Sequence, residues 1–260
     1  MGTPYVESVQ IRGMSPDYII PVEATARLNV AADAIGITYT GSPTQSVRVH
    51  NRFTSWSSDL TSADIIFSDV NGVVFNAGRE NRTGHGFAFG KISDFQTIYT
   101  WATYHEASYY DQGGPSGSSR QFIVFNFLLT GYKTLINDIP ASGKKVYDCD
   151  LDTTTVAYDG SGGVSARGNV TVDFSHRTIT SSIVARQSGW IAGNLPISAT
   201  LNLAGNLSSS DGSMSGDVTS PDGFTGQFYG SLFGPQGTEM QIIFTISRSG
   251  RGAAGRIICK

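Results

Sequence analysis

From residue 144 onward the chain alternates apolar and polar positions in short segments separated by turn residues. Segments at 144–157, 165–174, 177–185, 196–204, 212–219, 222–230, 239–247 and 252–259 have the two-residue period of a strand with one buried face. The turns between them are chemically explicit: Asp159-Gly160-Ser161-Gly162-Gly163, Asp211-Gly212, Asp222-Gly223 and Ser249-Gly250. Strands joined in succession by short turns form a meander, and closing an eight-stranded meander removes both free edges. The pattern predicts an eight-stranded antiparallel up-and-down barrel over 141–260.

Residues 1–140 predict a second β-rich domain with a looser pattern. The first 20 or so residues are polar and aperiodic, and read as a tail or a first strand. Gly36-Ile37-Thr38-Tyr39-Thr40 and Ser46-Val47-Arg48-Val49-His50 flank Gly41-Ser42-Pro43 as a hairpin. Asn71-Gly72, the strongest short hairpin signal, lies between apolar runs at 62–67 and 73–75. Segments 86–89 and 97–104 predict two more strands. The run 111–119 (DQGGPSGSS) predicts a mobile loop, and 121–129 an aromatic strand buried on both faces. The expected class is all-β throughout.

Composition narrows the function classes. Charged residues are 15 % of the chain and glycines number 31, which suits strands and tight turns. The net charge is −3 with scattered basic residues, so nothing points to nucleic acid. No apolar run approaches the roughly 20 residues of a membrane-spanning helix. The predicted strands lack the outward apolar belt and aromatic girdles of a membrane barrel. Met1-Gly2-Thr3-Pro4 has no basic stretch followed by an apolar core, so no leader is visible there. There are two cysteines, Cys149 and Cys259. In a closed even-stranded meander the first and last strands are neighbours, which puts both cysteines at the same end of the seam. They form either a disulfide across that seam or two independent reduced thiols, and a disulfide implies an oxidising compartment.

Catalytic signatures are missing. His50, His85, His105 and His176 have no partner at zinc-type spacing. The chain has no Gly-x-Ser-x-Gly elbow and no phosphate-loop Gly-Lys-Ser, and its carboxylates are dispersed. The expectation is a protein that is not an enzyme. The densest candidate for recognition is Trp101-Ala102-Thr103-Tyr104-His105-Glu106-Ala107-Ser108-Tyr109-Tyr110, just before the glycine-rich run. Aromatics with polar tips give large contact area at low entropy cost. Trp101, Tyr104, His105, Tyr109 and Tyr110 are therefore ligand-binding candidates, and His105 is a candidate axial ligand to haem iron. His85, flanked by glycines, is a sixth candidate. The competing reading is an ordinary strand end with aromatics on the core face and His105 in solvent.

Phe224-Thr225-Gly226-Gln227-Phe228-Tyr229-Gly230 followed by Gly234-Pro235-Gln236-Gly237-Thr238-Glu239 resembles the closing signature of transferrin-binding-protein-B-like barrels. Ile139-Pro140-Ala141-Ser142-Gly143-Lys144-Lys145-Val146-Tyr147 is similar to the segment that leads into the barrel in that family, and Val172-Asp173-Phe174 to its second-strand motif. Ile37-Thr38-Tyr39, Phe53, Asp64 and Tyr99-Thr100-Trp101 resemble the family more loosely. The chain departs from the pattern in two places. Ser231-Leu232-Phe233 is inserted before Gly234-Pro235, and Met240-Gln241 stands where the family has a Gly-Gly pair. The resemblance implies a handle-plus-barrel surface lipoprotein, or a secreted solute-binding protein, of a Gram-negative bacterium. It also implies capture of haem or an iron-bearing host partner for an outer-membrane receptor, as part of iron acquisition. Lipid anchoring is implied by the resemblance alone. The rival expectation is a protein-binding adhesin or assembly module of the same fold with no small ligand.

Overall fold

The computed structural model describes the backbone of residues 4–14, 23–27, 35–40, 46–51, 56–61, 65–68, 72–80, 83–90, 97–111, 120–151, 156–157, 164–187, 198–248 and 251–260. Side chains are described for 97–100, 129, 131–150, 167–184, 200–246, 248 and 255–260. The predicted glycine-rich loop and the Asn71-Gly72 turn lie largely outside these residues.

Among the described residues, ten strands come first: β1 (Pro4–Met14), β2 (Glu23–Arg27), β3 (Ile35–Thr40), β4 (Ser46–Asn51), β5 (Trp56–Thr61), β6 (Ile65–Ser68), β7 (Gly72–Glu80), β8 (Thr83–Gly90), β9 (Thr100–Asp111) and β10 (Arg120–Tyr132). Seven form an antiparallel sheet in the order β2-β1-β10-β9-β8-β7-β6, and β3-β4-β5 form a smaller one. The predicted hairpins appear as Tyr39↔Val47 and Ser68↔Val73 pairings. The aperiodic N-terminal segment is no tail. From Pro4↔Tyr132 to Met14↔Phe122, β1 pairs along its whole length with β10, inside the sheet. Glu7 interrupts its apolar alternation, so its sequence understates its strand character. The segments EATAR and WSSDLT of β2 and β5 alternate too weakly to be predicted as strands.

The barrel follows: β11 (Lys144–Leu151), the two-residue β12 (Val156–Ala157), β13 (Val164–Asp173), β14 (Thr178–Gln187), β15 (Ser198–Leu207), β16 (Ser213–Thr219), β17 (Thr225–Phe233), β18 (Glu239–Arg248) and β19 (Arg251–Cys259). β11 pairs with β13, the strands from β13 to β19 pair antiparallel in succession, and β11 also pairs with β19, closing an eight-stranded cylinder whose seam β12 extends. The predicted first strand over 144–157 is described as Lys144–Leu151 and Val156–Ala157, residues 152–155 lying outside the described residues. Pairing across the seam covers Cys149↔Cys259, Asp150↔Ile258 and Leu151↔Ile257, then resumes at Val156↔Ala254. A disulfide joins Cys149 to Cys259, and the backbones of Asp148 and Lys260 exchange hydrogen bonds of 2.9 and 3.0 Å beside it.

Inward positions make one continuous apolar core that includes Tyr147, Val170, Ile183, Leu203, Phe228, Phe244 and Ile257. Among them, Phe228 is accommodated by a facing glycine pair, Gly205↔Gly216. A Cβ on either glycine would come within 2.7 Å of the Phe228 ring. The ring thus fills the space that two missing side chains leave. One mouth of the cylinder is stoppered by the connector after β10. Ile139 packs on the core and against Gly212, whose φ of +69° suits glycine. Among the described residues the barrel is a packed post rather than a vessel.

The cylinder has two kinds of wall. Around β13–β16 the outer positions are exposed, as at Asn169, Thr180, Ser182, Ala204, Asn206 and Asp217. On β17–β19 the outer positions Phe233, Gln241, Ile243, Thr245, Arg256 and Ile258 are buried as deeply as the core. Strands β1, β2 and β10 of the seven-stranded sheet lie against this second wall. The inserted Ser231-Leu232-Phe233 serves both sides. It extends β17, sending Leu232 inward and Phe233 outward into the sheet–barrel junction.

Candidate functional site

The six predicted recognition residues lie on β8 and β9. Their backbone is described, while their side chains lie outside the described residues. The register nonetheless sorts them. His85 pairs with Ala107, Phe87 with His105 and Thr83 with Tyr109. Alternation along β9 then groups Trp101, His105 and Tyr109 with His85 on one face of the sheet. Tyr104 and Tyr110 fall on the other face. Tyr104 pairs with Phe127, two residues from the fully buried Leu129, and Gly131 approaches the Phe233 ring of the barrel. The face holding Tyr104 and Tyr110 is therefore the barrel side, and the face holding His85, Trp101, His105 and Tyr109 is turned away from it.

The start of β9 is anchored by a buried carboxylate. Glu239, 2 % exposed at the head of β18, accepts hydrogen bonds from Ile98 N (2.6 Å), Tyr99 N (3.0 Å) and Thr100 Oγ1 (2.9 Å). A buried carboxylate needs such donors, because charge away from water is costly unless it is met. Further bonds stitch the same junction. Tyr132 N donates to Tyr99 O, Gly234 N to Tyr132 O and Thr134 N to Leu232 O, each at 2.9 Å. Thr134 Oγ1 donates to Gly234 O at 2.7 Å. Gly234 adopts φ +74° where the Tyr99 ring lies against its backbone, leaving no room for a Cβ.

Below Glu239 the turn Pro235–Gly237 receives two side chains from β11. The Tyr147 hydroxyl donates to Gly237 O at 2.6 Å, and Lys145 Nζ donates to the same oxygen at 2.8 Å and to Thr238 O at 3.2 Å. Burial pushes the Tyr147 hydroxyl pKa up and the Lys145 ammonium pKa down, the latter opposed by the Glu239 charge. Lys145 also stands 4.4 Å over the Tyr147 ring. An open cleft of about 330 Å³ borders this turn, with Lys144, Lys145, Phe174 and Gln236 in its lining. The carboxylate and the Gly237 carbonyl both receive donors from distant segments, so the cluster acts as a clamp between the two parts of the chain. Glu239, Lys145 and Tyr147 were not among the candidates read from the sequence. The available signal was a lone carboxylate opening a strand, directly after a Gly-Pro turn.

No cluster of three or more His, Cys, Asp or Glu fit to hold a metal occurs among the described residues. No helix among them is long and apolar enough to cross a membrane.

Fold and clamp together define a class: an eight-stranded β-barrel bearing a docked β-sheet on one wall. No protein-family model and no curated protein matches the chain. Among solved structures it is similar to intact Ap-TbpB with its N and C lobes, at 11 % identity and a TM-score of 0.47 over 98 % of this chain and 45 % of that one. It is also similar to a double mutant of transferrin-binding protein B from Haemophilus parasuis Hp5, at 11 % identity and a TM-score of 0.45, covering 98 % of this chain and 44 % of that one. A third is isotype 1 of that protein from serogroup B Neisseria meningitidis, at 12 % and 0.42, covering 98 % and 42 %. The chain thus spans less than half the length of each. All three TM-scores are below 0.5, so the fold described above stands on the chain's own strand pairing.

Proposed function

We propose that the chain is a bacterial cell-surface or secreted binding protein, without catalytic activity. It captures haem or an iron-bearing host partner through its N-terminal sheet and hands it to an outer-membrane receptor. The observation that supports this most is the register grouping of His85, Trp101, His105 and Tyr109 on the sheet face turned away from the barrel. An imidazole among aromatics suits a flat, apolar ligand bearing iron. The filled barrel makes the sheet the better place to seek a ligand.

Hemin titration tests the reading. The expected result is a shifted Soret band that saturates near one equivalent, weakened at least tenfold by His105→Ala. Tyr110→Phe, on the barrel-side face, leaves it unchanged. A Soret band that stays that of free hemin at excess protein ends the haem reading. The second reading, a protein-binding adhesin or assembly module, is favoured by exposed apolar residues beside the clamp. Ile98, Leu135 and Val146 are 67 %, 57 % and 60 % exposed on segments bonded to, or next to, residues 234–239.

A further inference from the structure

The large apolar side chains exposed among the described residues are Ile98, Leu135, Ile136, Val146 and Val184. Val184 stands apart on β14, and the others gather round the turn Pro235–Gly237 and the two residues after it. Ile98 N donates to Glu239. Leu135 follows Thr134, whose hydroxyl donates to Gly234 O. Ile136 opens a single helical turn whose Asp138 accepts from Gln236 N at 2.9 Å. Val146 lies between Lys145 and Tyr147, which both donate to Gly237 O. Single exposed apolar side chains need no explanation, but a cluster rimmed by polar groups marks a surface that another chain covers.

The cleft beside the turn adds charge. Of its two ammonium groups, Lys144 Nζ is paired with Asp173 at 3.2 Å. Lys145 Nζ spends two of its three N–H bonds on the carbonyls of Gly237 and Thr238, and no carboxylate among the described residues lies within ion-pair distance of it. Glu239 acts on it only from a distance, its own oxygens being taken by residues 98–100. Pro140, Phe174 and Pro235 give the cleft an apolar lining. Gln236 on its rim holds φ +53°, a left-handed conformation uncommon outside glycine, and such strain gathers where ligands are clamped.

We propose that this end of the barrel docks an extended segment of a partner protein that carries one carboxylate side chain between apolar ones. The carboxylate enters the cleft and takes the remaining N–H of Lys145. Its apolar neighbours cover Val146 on one side of the turn, and Ile98 with Leu135 on the other. The charge-assisted bond fixes the register of the segment, and the apolar cover supplies the area. The site rests on the protein-binding reading, whose partner it describes, and uses none of the residues on the sheet face.

The test titrates the full chain with the peptide acetyl-Ser-Leu-Glu-Leu-Ser-amide and follows backbone amide shifts. Expected are saturable shifts confined to residues 97–100, 133–147 and 234–239, with the Gln-for-Glu peptide about tenfold weaker. Val146→Ser, which touches no bond of the clamp, weakens the Glu peptide about fivefold. Lys145→Gln abolishes the preference for Glu over Gln; should that variant fail to fold, Val146→Ser and the two peptides still decide. Equal binding of the two peptides, or shifts centred elsewhere, overturns the proposal. So do the same shifts from acetate alone, which make the cleft a small-anion site, and shifts that grow with protein concentration without peptide, which give the face to a second copy. A flat peptide titration ends this site; joined to a saturable hemin shift, it ends the protein-binding reading as well.

Discussion

The two walls of the barrel are built from the same kind of strand, yet they read differently in sequence. On β13 and β14, Val170, Val172, Ile179 and Ile183 face inward while Thr171, Thr180 and Ser182 face out, and the two-residue period is plain. On β18 the period is masked. Met240, Ile242, Phe244 and Ile246 face inward, but Gln241, Ile243 and Thr245 on the other side are buried as well. The difference shows what a covered barrel wall looks like: a strand that must satisfy two cores at once loses its polar beat. Barrel closure is thus separable from docking, the first resting on inward positions everywhere and the second on outward positions of three strands.

That separation is open to measurement. The largest effect is expected at the seam, where an open-walled strand meets a covered one with three paired residues reinforced by the disulfide. Removing it with Cys149→Ser and Cys259→Ser releases a loop with a sequence separation of 110. The expected loss is about 4–5 kcal/mol in the chain-entropy model, readable by denaturant titration. Added hydrogen exchange should concentrate in β11 and β19. Exchange spread evenly over β13–β16 contradicts the seam as the weak line.

Next in size is a pair of truncations. Ile243→Ala empties a buried site on the covered wall and should cost about 2–4 kcal/mol. Val184→Ala, on the open wall and 40 % exposed, should stay within about 1 kcal/mol. Equal losses would mean that the sheet does not cover β18.

The smallest effect belongs to the β13–β14 turn on the open side. Asp173 accepts from His176 N at 3.0 Å, faces His176 Nδ1 at 3.1 Å and lies 3.2 Å from Lys144 Nζ. These contacts, led by the backbone bond from His176, hold its carboxyl at about 2 rather than the usual 3.8. A depressed folded-state pKa favours the fold above the unfolded value and loses that contribution as pH falls. The loss therefore runs from roughly pH 4 down to about pH 2. Asp173→Asn should flatten the stability curve in that window, lowering stability near neutrality while leaving it least changed below about pH 2.

Most of the barrel was legible because its turns and its alternation agree. Predicted and observed strand ends differ by a few residues, as at β17, which begins at Thr225 and runs to Phe233. The extension was hidden because Ser231-Leu232-Phe233 reads as an insertion until both walls are known. β1 was hidden because its partner, β10, is more than a hundred residues away and its own apolar positions are interrupted by Glu7. The recognition stretch was legible as composition, but not as a surface. A strand period of two divides Trp101, His105 and Tyr109 from Tyr104 and Tyr110, and only the pairing with β8 and β10 says which set faces the barrel. Glu239 was missed because a single carboxylate announces burial only when its donors, Ile98 to Thr100, are brought to it by the fold.

The bed on which the N-terminal sheet lies includes β19, the final strand, and the covering layer includes β1, the first. Emerging from the ribosome, the chain delivers the sheet before there is anything for it to rest on. Its apolar underside must wait, exposed, while every later hairpin is laid down. Maturation then ends in one late event, in which arrival of the closing strand completes the cylinder and seats the layer above it together. Such long-range dependence makes for slow assembly. It also makes docking of the sheet wait on closure of the barrel.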